Sequence, residues 1–177
     1  DRDGDGQRAE PKPAAERAAA IRVIARWRPD VLAVQEIGIA PVLDEFCRAL
    51  RSEGLDYPYL EHLIRPDHTI GLAVLSRVPI AARRSRLDDV YRIGATNLPI
   101  LRGFIDVELR TTEGYQFRLI VVHLKSKVFH PLGQTEMRRN EARIIAQHIH
   151  GALEAHPPLN LVVVGDLNDS PDSAPVQ

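Results

Sequence analysis

The sequence predicts an α/β (α+β) domain, a mixed sheet system with helices packed outside it. Three observations lead there. Apolar residues recur at helical spacing in three separate segments. Between them lie short runs rich in Val, Ile, Leu and Tyr, of the length and type that form strands. The elements follow in the order α-β-α-β-β-β-β-α-β, with no internal repeat or low-complexity tract. A chain of 177 residues is about right for one domain and long enough to bury a substantial core.

Taken in order, residues 1–13 (DRDGDGQRAEPKP) are polar and rich in Gly and Pro, and read as a loop or ragged terminus. Helix-forming residues fill 14–28, and Pro29 ends the run. DVLAVQE (30–36) reads as a buried strand with polar residues at its end. A second helix spans about 41–52 and stops before Gly54. Within it, Cys47 joins Val42, Leu43, Phe46 and Leu50 as a small core residue. Strands are expected over 57–64 and 69–76, and 102–125 reads as a hairpin turning at TTEG (111–114). In its first strand, Phe104, Asp106 and Glu108 share one face, and Ile105, Val107 and Leu109 share the other. Met137, Ile144, Ile145, Ile149 and Leu153 mark a third helix over 134–153. A last strand, LNLVVVGD, follows.

Composition narrows the function classes. With 44% hydrophobic and 27% charged residues, the chain has the make-up of a globular domain, not of a disordered one. No apolar run approaches the roughly 20 residues of a membrane-spanning helix, so no membrane span is expected, and a monomer is favoured. A net charge of −1 lacks the basic excess of a non-specific nucleic-acid binder, although a local basic cleft is compatible with it. The single cysteine cannot form an internal disulfide, and the compartment stays open.

Three strands carry polar groups at the ends where α/β folds commonly place ligand sites. The first delivers Glu36, the hairpin's second strand delivers His123 and Lys125, and the last delivers Asp166 and Asn168, while Arg102 opens another strand. Singly, each has an ordinary reading: a solvated acid, a satisfied imidazole, a turn. Together they suit hydrolysis of a phosphate ester, which needs neutralised phosphoryl oxygens, an oriented water and a proton for the leaving oxygen. Glu36 and Asp166 offer hard oxygen ligands of the kind Mg²⁺ takes alongside several waters. Asn168 can hydrogen-bond phosphate without adding charge, Arg102 presents a planar fork, and His123 can exchange a proton near neutral pH. Zinc fits less well, because no Cys pair or His-x-x-x-His spacing occurs. Asp169, Ser170 and Pro171 are read as turn residues that let the chain leave the sheet.

At this point the sequence resembles the DNase I-like endonuclease/exonuclease/phosphatase superfamily. The resemblance is carried by DVLAVQEIG (30–38), GLAVLSRVPI (71–80), RGFIDVEL (102–109), VVHLKSK (121–127), RRNEAR (138–143) and VVVGDLNDSP (162–171). It covers nearly the whole chain from about residue 15, and the combination of six segments in order is specific. It implies a two-sheet β-sandwich flanked by helices, with a metal-dependent site at one edge, and assigns 14–177 to a partial domain of this family. It implies that Glu36 ligates Mg²⁺ or Mn²⁺, with Asp166 and Asn168 around the metal, water and phosphate. His123 would contact the scissile phosphate and assist the leaving group, while Arg102 and Lys125 would bind the substrate anion. RRNEAR, on a helix, would be structural. The implied activity is phosphodiester or phosphomonoester hydrolysis by in-line attack of water, and a nuclease acting on nucleic acid is preferred.

Family members also carry an upstream strand ending in Asn and a downstream Asp-His whose His activates water. After Asn168 there are nine residues, none of them His. The expectation is therefore an internal fragment, itself weak or inactive. Two alternatives stand beside this one. An inactive phosphate-binding or interaction module of the same fold is the first. A haloacid-dehalogenase-like phosphatase is the second and more distant, imitated by DRDGD (1–5) and GDLND (165–169). That reading leaves Gln35-Glu36 and His123-Leu124-Lys125 unexplained. DRDGDG also opens like an EF-hand loop, but Lys12 stands where the bidentate Glu belongs. RRSRLDDVYRIGATNLPIL (83–101), with Arg83, Arg84, Arg86, Tyr91 and Arg92, is a candidate substrate loop or a solvated basic connection.

Overall fold

The structure, a computed structural model, describes residues 12–173 together with 175 and 176. The DRDGD motif and most of the polar segment 1–13 lie outside the described residues. Helices α1 (Ala14–Trp27), α2 (Ala40–Ser52) and α3 (Gln134–Ala155) fall where their apolar periodicity places them. The strands are β1 (Val31–Ile37), β2 (Tyr59–Leu63), β3 (Gly71–Ser76), β4 (Ile80–Arg83), β5 (Val90–Ile93), β6 (Thr96–Pro99), β7 (Phe104–Arg110), β8 (Gln116–His123) and β9 (Leu161–Asp166).

Two sheets form the body, ordered β1-β3-β2 and β4-β7-β8-β9; β5 and β6 make a separate hairpin. Alternation along each strand explains how they stack. Leu72 and Val74 of β3 meet Ile105, Val107 and Leu109 of β7 and Leu119 and Val121 of β8 in a core between the sheets. The opposite parity of β3, Ala73 and Leu75, packs with Leu43 and Leu50 of α2 and Ile21 of α1. Phe104, Ile120 and Val122 turn outward to Ile145 of α3. The result is four layers, helix-sheet-sheet-helix, as the two-sheet expectation requires. Cys47 packs against the α1–α2 side of the core, and burial pushes its thiol pKa up.

The segment 83–101 departs from the loop expected there. Val90–Ile93 and Thr96–Pro99 pair in register around Gly94-Ala95, and Gly94 takes φ +58 at the turn. Its arginines are spent locally. Arg83 lies 2.8 Å from Glu61, Arg84 3.1 Å from Glu108, and Arg86 makes two bonds to Asp89 at 2.6 and 2.8 Å. This favours the solvated-connection reading over a substrate cleft. Among the described residues β9 is an edge strand, paired only with β8, so Val162, Val163 and Val164 remain 37–43% exposed.

Candidate active site

Glu36 owes its position to a break in pairing. Residues Val31 to Gln35 pair with Ser76 to Leu72, and the register then shifts between Gln35 and Ile37. The unpaired Glu36 adopts φ +57 and leaves its side chain 60% exposed. A bulge of this kind re-aims a side chain that regular pairing would hold in the pleat. Left-handed backbone is costly for a residue with a full side chain, and such strain concentrates at functional sites.

Strands β8 and β9 run parallel, with His123 opposite Asp166. The Leu124 N–H donates to the Asp166 carbonyl at 3.0 Å and closes this end of the pair. Gly165 makes the approach possible: it sits at φ +141, and an added Cβ would lie 1.9 Å from the Val122 carbonyl oxygen. Beyond it the chain turns on itself. Asp166 Oδ1 accepts the Asn168 N–H at 2.8 Å, and Asn168 adopts φ +53, a conformation its short polar side chain tolerates. Asn168 Nδ2 donates to the Leu124 carbonyl at 2.9 Å, and Arg102 Nη1 donates to the same oxygen at 3.3 Å. That carbonyl ties three segments together. His123 is buried, and its Nε2 lies 4.0 Å from Glu36 Oε1.

The structure thus brings Glu36, His123, Asp166 and Asn168 to one edge of the sandwich. It puts the two expected substrate cations beneath that edge instead of on it. Arg102 is 3% exposed and Lys125 2% exposed. The Lys125 ammonium donates to the Ser126 carbonyl and Oγ, both at 3.3 Å, and to the Val128 carbonyl at 3.1 Å. These bonds hold the Lys125 ammonium against the loop that follows it. In the loop that follows, Lys127 (side chain 67% exposed) and Phe129 (78% exposed) do face outward.

Three further residues hold these loops. Asp169 was expected to be an ordinary turn residue, yet its carboxylate pairs with Arg138 at 2.8 Å and Lys127 at 3.6 Å. The Arg138 hydrogen bond holds its pKa below the usual carboxylate range. Buried Glu141 accepts the N–H groups of Leu101 and Lys125. The signal available in the sequence was RRNEAR itself, an arginine and a glutamate one helical turn apart beside the apolar Met137 and Ile145.

A divalent ion fits the donors present. Glu36 and Asp166 both expose carboxylates, and Asn168 has its NH₂ end bonded to Leu124, which leaves its carbonyl end for a ligand. Among the described residues no three His, Cys, Asp or Glu side chains are grouped to hold a metal. A hard cation that keeps several waters suits such a sparse carboxylate site.

This architecture, two packed sheets with the polar ends of their strands gathered at one edge, is that of the DNase I-like sandwiches. The chain belongs to the Endonuclease/Exonuclease/phosphatase family, whose profile matches residues 5–177. No curated protein matches it significantly. A Staphylococcus aureus beta toxin mutant solved with bound magnesium ions is similar in fold (TM-score 0.68, 17% identity, 90% of this chain and 59% of that one). So is the human Nocturnin catalytic domain solved with a bound sulfate anion (0.60, 21%, 91% and 59%). Truncated Caenorhabditis elegans TDP2 is a third (0.59, 17%, 88% and 56%). The chain therefore spans 56–59% of the length of these three structures. Among the described residues no helix is long and apolar enough to cross a membrane.

Proposed function

We propose that this site hydrolyses phosphodiesters with the help of Mg²⁺ or Mn²⁺. The observation that carries the reading is the meeting of Glu36, from a bulge in one sheet, with His123 and Asp166, from paired strands of the other. Glu36 and Asp166, with Asn168 beside them, would hold the ion. When bound, the ion supplies charge stabilisation to the phosphoryl oxygens. His123 stands beside Glu36, where it can donate a proton to the leaving oxygen. Asn168, in a turn fixed by Asp166 and Leu124, has a second amide N–H to donate to a phosphoryl oxygen. Arg102 adds positive potential from beneath, where burial strengthens its field.

Among phosphodiesters we infer nucleic acid. Lys127 and Phe129 present an exposed cation and an exposed aromatic ring on the loop after His123, the pair that phosphate and base of one strand would use. Hydrolysis of bis-p-nitrophenyl phosphate, followed by a panel of single- and double-stranded DNA, RNA and phosphoinositides, tests both levels. Mg²⁺-dependent turnover that drops roughly a hundredfold or more in Glu36→Gln and His123→Ala is expected. Turnover indifferent to Mg²⁺ or to both substitutions would overturn the assignment. Mn²⁺-dependent binding of inorganic phosphate without turnover, lost in Glu36→Gln and Asp166→Asn, would instead support the phosphate-binding module.

A further inference from the structure

Helix α3 contributes no residue to the proposed chemistry, yet two of its side chains reach the loops beside Arg102, His123 and Asn168, three of the four segments that supply it. Glu141 is 1% exposed, and its two carboxylate oxygens are used on different loops. Oε1 accepts the Leu101 N–H at 3.0 Å, immediately before Arg102. Oε2 accepts the Lys125 N–H at 2.7 Å, two residues after His123. One turn earlier, Arg138 is 3% exposed. Its Nε donates to Asp169 Oδ2 at 2.8 Å, immediately after Asn168. Its Nη1 donates to the carbonyls of Lys125 (3.2 Å) and Ser126 (3.4 Å), and to Gln134 of its own helix (3.4 Å).

We propose that Arg138 and Glu141 are positioning residues for the reaction, a brace that fixes Arg102, His123 and Asn168 relative to one another. The inference rests on the function proposed above but adds a claim that function does not require. The chemistry of the two side chains fits the role. A carboxylate accepting two backbone N–H groups from separate loops sets the distance between those loops. A guanidinium fork donating to a carboxylate and to two carbonyls sets direction as well as distance. Neither task can be met by the nearest substitute. Glutamine would turn an NH₂ towards one of the two N–H donors, and lysine lacks the planar fork. The brace acts on loops that regular strand pairing does not reach, since β8 ends at His123 and β9 at Asp166.

The test compares Glu141→Gln and Arg138→Lys with His148→Gln, which alters a polar contact of the same helix away from these loops. Two readouts are taken on the intact chain. The first, by NMR, needs no turnover: hydrogen exchange of the Leu101 and Lys125 amides, and the resonances of the His123 ring and the Asn168 side-chain amide. Glu141→Gln is expected to lose amide protection and shift both sets of site resonances, with His148→Gln shifting neither. Lost protection with unmoved site resonances would overturn the proposal, and so would unchanged protection. The second readout is kinetic. With Mg²⁺ saturating, both brace variants should lower kcat roughly ten- to a hundredfold, with KM changed less than about threefold. Wild-type kcat in both would also overturn it. A chain without turnover matches the expectation of a weak or inactive fragment, and the NMR result then decides the brace.

Discussion

Helix α3 meets the sheet through two buried polar clusters, and they are built for different ends. Around His148, Asp106 is fully buried and bonded bidentately to Arg118, with the Nε2–Oδ2 contact to His148 at 2.6 Å. All three lie on regular elements, the outer faces of β7 and β8 and the helix itself. Around Arg138 and Glu141, most partners are backbone groups of loops. The first cluster closes on itself. The second hands its hydrogen bonds to segments that otherwise have few. A buried charge can therefore serve the stability of a helix–sheet contact or the geometry of a loop, and the partners tell which.

Four measurements break or sharpen that contrast. The largest effect belongs to Asp106→Ala, which leaves Arg118 buried without its counter-charge. Urea unfolding should show a loss of about 3–5 kcal/mol, while kcat of the folded fraction stays at the parent value. Arg138→Ala comes next, with a stability loss of about 2–3 kcal/mol from its unmet carbonyls and carboxylate. Here kcat falls too, and an equal loss of kcat in both variants would dissolve the distinction.

Acid supplies the third. Burial works against ionisation of Asp106, yet hydrogen bonds from Arg118 and His148 outweigh it and hold the carboxyl below its ordinary pKa. A depressed carboxyl contributes stability that is complete above the unfolded value, near pH 4, and is lost as pH falls through the folded one. Asp169 has the same sign through Arg138. Urea midpoints should hold from about pH 7 to 5 and fall below about pH 4, with a shallower fall once Asp106 is replaced. The smallest effect is that of Lys127→Ala. It removes an ion pair whose lysine is 67% exposed, so stability should change by less than about 0.5 kcal/mol in a thermal melt.

The legible parts of this molecule were those set by local period. The three helices and the strands of both main sheets except β4 follow from apolar spacing, and the alternation of Phe104, Asp106 and Glu108 against Ile105, Val107 and Leu109 foretold two differently packed faces of β7. The β5–β6 hairpin was not legible, because four-residue strands flanked by arginines carry too little pattern to separate from a loop. At the site, strand ends gave Glu36, His123, Asp166 and Asn168. The burial of Lys125 was not readable, since it depends on the loop curling back so that Val128 accepts from its ammonium. Nor was the part played by Asp169, whose partner Arg138 lies 31 positions away in the chain. Long-range pairing of charged groups leaves no periodic trace.

The left-handed turn at Glu36 has a consequence for how the protein trades durability against chemistry. Its φ of +57 suits glycine far better than glutamate. Glu36→Gly should thus melt higher, by about 1 kcal/mol of added stability, while the candidate metal ligand disappears. A screen of variants for heat resistance alone would select against the carboxylate on which the proposed reaction depends.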